Sequence, residues 1–292
     1  MPARRRGREV LRAAVGVVVG LAVVYAVLCA LFAMYEPVFV FRQLHRERIS
    51  PPAAGLSGFA DIEITADDGI KLYGWWRVPD PGRGVVVYLT GSGVTMSDFA
   101  PRFRELARRG LGVAAMDYRG NGASPGVPSE AGWRADARAL FDFAHKMAPQ
   151  AKIAVFGESM GTGFAVELAR DRPVAGILLN SPYASMARLF AHSGMPLLHG
   201  VPIPARWLMR DTVDAEAQIA GVQAPVMILA GAADRVIPVA EARRLYDAAN
   251  EPKTMIVVPG AGHTGAWQGE TKERALDALV AWTAPDPAPA KQ

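Results

Sequence analysis

The chain has 292 residues, 51% of them hydrophobic and 21% charged, with one cysteine and a formal charge of +4. That balance excludes a disulfide scaffold, a disordered chain and a collagen-like one. The charge excess lies wholly at the start, where Arg4, Arg5, Arg6, Arg8 and Arg12 stand against Glu9, and the sequence beyond residue 35 sums to zero. A neutral body offers no phosphate-binding stripe, so no nucleic-acid partner is expected.

After the basic segment 1–12, residues 13–35 carry no charge and are dominated by Val, Leu and Ala. As a helix they rise roughly 34 Å, more than the hydrocarbon core of a bilayer. A cleavable signal peptide has the same charge order, but its apolar stretch is shorter, and residues 26–36 lack the small-residue spacing of a cleavage site. Bulky Leu28 before Cys29 argues against lipoprotein processing. The expectation is a single-pass signal-anchor helix. More arginines precede it than follow it (Arg42, Arg46 and Arg48), which orients the N-terminus to the cytoplasm and the body outside it.

A linker over 36–58, polar and Pro-containing from residue 42, leads into strand-like runs at 61–66 and 70–78. Asp67-Asp68-Gly69 joins them as a hairpin turn, and both are expected as antiparallel edge strands. Continuous apolar runs follow at 85–89, 111–116, 153–156, 174–179, 226–230 and 255–258, a pattern that suits strands buried on both faces of a parallel sheet. Helical faces lie between them: Phe99, Phe103 and Leu106; Trp133, Ala137, Leu140 and Phe141; Leu276, Leu279 and Val280. The fold class is therefore α/β, a mostly parallel doubly wound sheet with flanking helices over residues 59–283. The longest interruption, 181–223, carries Leu189, Phe190, Met195, Leu197, Trp207 and Met209, and is expected to form a small lid over the carboxyl edge of the sheet. Residues 284–292 are Pro- and Ala-rich and are expected to be a disordered tail.

Two segments match G-x-S-x-G. Gly157-Glu158-Ser159-Met160-Gly161 lies between a buried strand and a helical stretch, the setting of a nucleophile elbow. In Gly122-Ala123-Ser124-Pro125-Gly126, Pro125 has no N–H to donate to an oxyanion, so Ser124 is read as part of a turn. A serine nucleophile needs a base, and that base needs an orienting acid. Of the five histidines, only His263 follows a strand in a glycine-rich loop; His45, His145, His192 and His199 are read as surface or packing residues. Asp234 follows the preceding apolar strand and completes the chain order serine, acid, histidine. Asp211 and Asp214 are reserves that follow no strand. The oxyanion donors are expected to be the backbone N–H groups of Met160 and of Ser92, the latter in the loop after the third strand; Asn121 carries little weight there.

At these residues the chain resembles the α/β-hydrolase superfamily, and in particular its small-lid, membrane-anchored abhydrolase-type serine hydrolases. The resemblance runs over about 61–282. It covers the Asp68-Gly69 hairpin with Gly74-Trp75-Trp76, Thr90-Gly91-Ser92-Gly93 (where relatives commonly carry histidine-glycine), Asp117-Tyr118-Arg119-Gly120, the elbow, Trp207-Leu208-Met209-Arg210-Asp211, and the acid and histidine loops. It implies an esterase, thioesterase, lipase or peptidase without fixing which. The expected activity is hydrolysis of an ester or thioester of a small-molecule or lipid-like acyl substrate, with no metal or cofactor. Peptide or amide hydrolysis by the same residues is the alternative, and a membrane-tethered binding protein without turnover a third reading.

Overall fold

The structure is a computed structural model that describes residues 2–195, 198–199, 204–209 and 213–286. Leu197, Arg210, Asp211 and residues 287–292 of the expected tail lie outside the described residues, as do the side chains of His192, Met195 and His199.

The chain opens with helix α1 (Pro2–Val40). Its stretch Gly7–Val38 is long and apolar enough to cross a bilayer, and holds an 18-residue window with a mean hydropathy of 2.7. The helix runs past the expected linker boundary at residue 36 and contains Pro37. Proline removes one helical hydrogen bond, yet the turn holds because this end of α1 is docked. Phe32, Glu36 and Val40 are buried, and Phe41 packs edge-on to Trp133 at 5.0 Å between ring centroids. Beyond the helix the chain is stitched to the body. The N–H of Gly93 donates to the carbonyl of Arg42 (2.8 Å), that of Gly122 to Leu44 (2.8 Å), that of Leu44 to Asn121 Oδ1 (2.9 Å), and Arg46 pairs with Asp98.

Strands β1 (Ala60–Thr65) and β2 (Lys71–Arg77) form the expected hairpin. β2 also pairs antiparallel with β4 (Gly112–Met116), so of these two strands β1 alone is an edge. β3 (Val85–Leu89), β5 (Ile153–Glu158), β6 (Gly176–Asn180), β9 (Val226–Gly231) and β10 (Lys253–Val258) continue the sheet in parallel, in the order β1-β2-β4-β3-β5-β6-β9-β10. Every residue of β3, β4, β5, β6 and β9 is buried, as their unbroken apolar runs require. β10 is the exception: it is the far edge strand and only half-buried throughout.

Helices α2 (Ala100–Arg108) and α9 (Gly269–Thr283) cover one face through Phe103, Leu106, Leu276 and Leu279. α3 (Glu130–Met147), α4 (Gly161–Asp171) and α8 (Val239–Ala248) cover the other through Trp133, Leu140, Phe164 and Leu245. Phe99 belongs to a short 3-10 turn ahead of α2, and Val280 is only half-buried. Between β6 and β9 the chain forms α5 (Met186–Ser193), the two-residue strands β7 (Gly194–Met195) and β8 (Leu198–His199), and the short helices α6 (Ala205–Leu208) and α7 (Ala215–Ile219). In this region Met209 is buried and Leu189 and Phe190 half-buried, with Phe190 against Phe32 of α1, while Trp207 is 90% exposed.

The turn after β4 holds a charged core. Arg119 is clamped by Asp136 and Asp68, and its carbonyl accepts from the Trp133 indole. Asp117 accepts from the Met96 N–H at 2.7 Å, and burial pushes its carboxyl up to about 6. The folded chain therefore holds this proton more tightly than the unfolded chain, so stability declines as pH rises from about 4 to 6 and the deficit stays constant above. Asp117→Asn keeps an acceptor for Met96 and removes the charge. It is expected to raise stability at pH 7.5 by roughly 1–3 kcal/mol, with the gain vanishing near pH 4. Thermal melts at both pH values test this; a gain of equal size at both would refute it.

Candidate active site

Ser159 stands at the end of β5, where strand order reverses and the carboxyl ends of the strands leave a crevice. The chain turns there so sharply that Ser159 takes φ 50°, in the left-handed region. Such a turn needs bare backbone on both sides. A Cβ at Gly161 would lie 2.2 Å from the carbonyl oxygen of Leu89, and one at Gly157 would lie 2.7 Å from the Cα of Thr162. Two glycines flanking the serine are thus a packing requirement, and α4 starts directly behind them.

The loops after β9 and β10 bring the other two side chains to this point. His263 Nε2 lies 3.0 Å from Ser159 Oγ, and Nδ1 lies 2.9 Å from Asp234 Oδ2. The second oxygen of Asp234 accepts from the N–H groups of Val236 (2.8 Å) and Ile237 (2.9 Å). Burial pushes the Asp234 carboxyl up, but its bonds from His263 and these amides outweigh burial and hold it below the usual carboxylate value. It is a fixed anion beside an imidazole, which is the arrangement that steadies a transient imidazolium.

The Thr90-Gly91-Ser92-Gly93 loop lies against the serine: a Cβ at Gly91 would be 3.2 Å from the Ser159 Cβ. Among the described residues, no hydrogen bond uses the N–H of Ser92 or Met160. The remaining candidates fall elsewhere. Ser124 is buried in its turn, accepting from the N–H of Tyr73 and donating to the carbonyl of Asp117. Asn121 accepts from Leu44, Asp214 caps α7 by accepting from Ala217, His45 sits in the segment that bridges to Gly122, and His145 lies in the last turn of α3. The sequence reading overlooked Glu158, whose carboxylate is buried beside Arg102, Tyr88 and Asn180. An acidic residue closing an apolar strand inside the elbow motif was the available signal.

A doubly wound sheet with a strained serine turn and a histidine and aspartate on the following loops defines an α/β hydrolase. The chain matches the family described as serine aminopeptidase, S33, over residues 80–206 and 196–266. It is 37% identical over 246 residues to an uncharacterised protein of Mycobacterium tuberculosis (80% of this chain, 85% of that one). To the lysophosphatidylserine lipase ABHD12 of Danio rerio it is 25% identical over 238 residues (70% of this chain, 62% of that one). Its fold is similar to that of an esterase from Pyrococcus furiosus, with a TM-score of 0.68, 21% identity, and coverage of 84% of this chain and 99% of that one. The chain belongs to the S33 family of α/β hydrolases.

Proposed function

We propose that the protein is a membrane-anchored serine hydrolase that cleaves an ester or thioester through Ser159, His263 and Asp234. The observation that carries this reading is the pair of contacts joining hydroxyl, imidazole and carboxylate at 3.0 and 2.9 Å. Ser159 Oγ attacks the acyl carbonyl as His263 Nε2 takes its proton. The N–H groups of Ser92 and Met160 receive the developing oxyanion. His263 returns the proton to the leaving group, and a water activated by the same imidazole releases the acyl group.

In this reading residues 13–35 lie within the bilayer, with the N-terminus cytoplasmic and the body 59–283 outside it. Residues 181–223 act as a lid. The exposed indole of Trp207, on a helix beside α1, suits the water–membrane boundary, and the zebrafish relative's name supports a lipid-like acyl substrate. The description of the S33 family favours the second reading, a peptidase using the same residues.

The test uses the full chain in membranes washed with alkaline carbonate. A fluorophosphonate probe is expected to label it in the membrane pellet. Fatty-acyl esters and thioesters of graded chain length are expected to be hydrolysed faster than aminoacyl amides. Label recovered only in the supernatant would refute the anchor, and faster amide cleavage would favour the peptidase.

A further inference from the structure

Glu158 is 1% exposed and lies immediately before the serine. Its carboxylate accepts from Tyr88 Oη (3.0 Å), Asn180 Nδ2 (3.0 Å) and Arg102 Nη1. Two of these three partners also reach the histidine loop: Arg102 Nη2 donates to the carbonyl of Thr264 (3.3 Å), and Asn180 Nδ2 to the same oxygen (3.2 Å). The N–H of Thr264 donates to Ser181 Oγ (3.0 Å), and the N–H of Ser159 to the carbonyl of Asn180 (2.9 Å). Ser159, Ser181 and Thr264 are the non-glycine residues with positive φ among those described, and all three hang on this one network. Left-handed backbone at bulky residues persists only where its surroundings over-determine it.

A buried ion pair is a poor way to stabilise a fold, because desolvation offsets most of the attraction and apolar residues of similar size often do as well. Arg102 nevertheless lies over the rings of Phe99 (5.2 Å to the centroid) and Trp267 (5.7 Å). From this geometry we infer that Glu158 and Arg102 are positioning residues: the Glu158 carboxylate fixes the Arg102 fork and the Asn180 amide, and these hold Thr264 so that the neighbouring His263 meets Ser159. The inference rests on the serine-hydrolase reading above. The charged groups around His263 are Asp234 from the loop after β9, Glu158 on β5 and Arg102 on α2, with Glu105 and Lys272 beyond Trp267. Burial raises the Glu158 carboxyl, and its charge also interacts with His263.

The experiment measures kcat and KM on p-nitrophenyl butyrate, the thermal melt and fluorophosphonate labelling, for the wild-type full chain, Glu158→Gln and Arg102→Lys. Both variants are expected to lose roughly 10- to 100-fold in kcat, with KM changed less than about threefold. In Arg102→Lys the ammonium keeps the charge but cannot bridge Glu158 and Thr264 together. Wild-type kcat in either variant, or a loss confined to KM, overturns the inference. If Glu158→Gln folds poorly, kcat of Arg102→Lys at wild-type Tm decides alone. An unlabelled wild type would instead bring down the underlying serine-hydrolase reading.

Discussion

Ser159→Ala is expected to abolish fluorophosphonate labelling and to lower kcat roughly 10⁴- to 10⁶-fold on any ester the wild type cleaves. The size follows from the arrangement: His263 Nε2 has one hydroxyl within 3.0 Å, and without that oxygen there is nothing for the base to activate. The fold should be unaffected, because one non-glycine residue replaces another at φ 50° and the flanking Gly157 and Gly161 keep their contacts. A variant with wild-type Tm and labelling within tenfold of the parent would remove Ser159 from the mechanism.

Asp234→Asn is expected to cost about 10⁴-fold in kcat, comparable with losing the acid of a serine triad. One carboxylate oxygen accepts from the amides of Val236 and Ile237, so the carbonyl of an asparagine must stay on that side. Its NH₂ then faces His263 Nδ1, which becomes an acceptor, and the ring proton moves to Nε2, pointing at Ser159. The base is occupied before it can act. Steady-state rates on p-nitrophenyl butyrate, together with unchanged thermal melting, check this; a loss below tenfold would mean Asp234 only props up the loop.

Much of this was legible in the sequence because the informative signals are local. The five central strands are continuous apolar runs, and burial on both faces leaves no room for polar alternation, so runs such as 85–89 coincide with the observed strand. The meeting of Ser159, Asp234 and His263 was legible because each follows a strand whose carboxyl end must lie on the same side of a parallel sheet. What escaped depends on contacts between distant elements. The linker is expected from residue 36, yet packing of Phe32, Val40 and Phe41 on the body carries α1 through Glu36 and Pro37. Trp207, one of the apolar residues of the expected lid, is exposed. Glu158 is ordinary in composition, and its environment is assembled from β3, α2 and β6, which no spacing rule connects.

The stitching between residues 42–46 and the loops at 91–93 and 120–122 bears on where the apolar helix can be trimmed away. A cut after residue 46 deletes the acceptor of the Gly93 amide and also Leu44, the partner of Gly122 and Asn121, so the loop beside Ser159 loses its outer brace while the sheet stays whole. A cut ahead of Phe32 discards most of the lipophilic rod and retains that brace, along with the Phe41–Trp133 contact that seats it. The boundary between the apolar helix and the hydrolase body therefore falls inside the last turns of α1, upstream of where hydropathy alone would draw it.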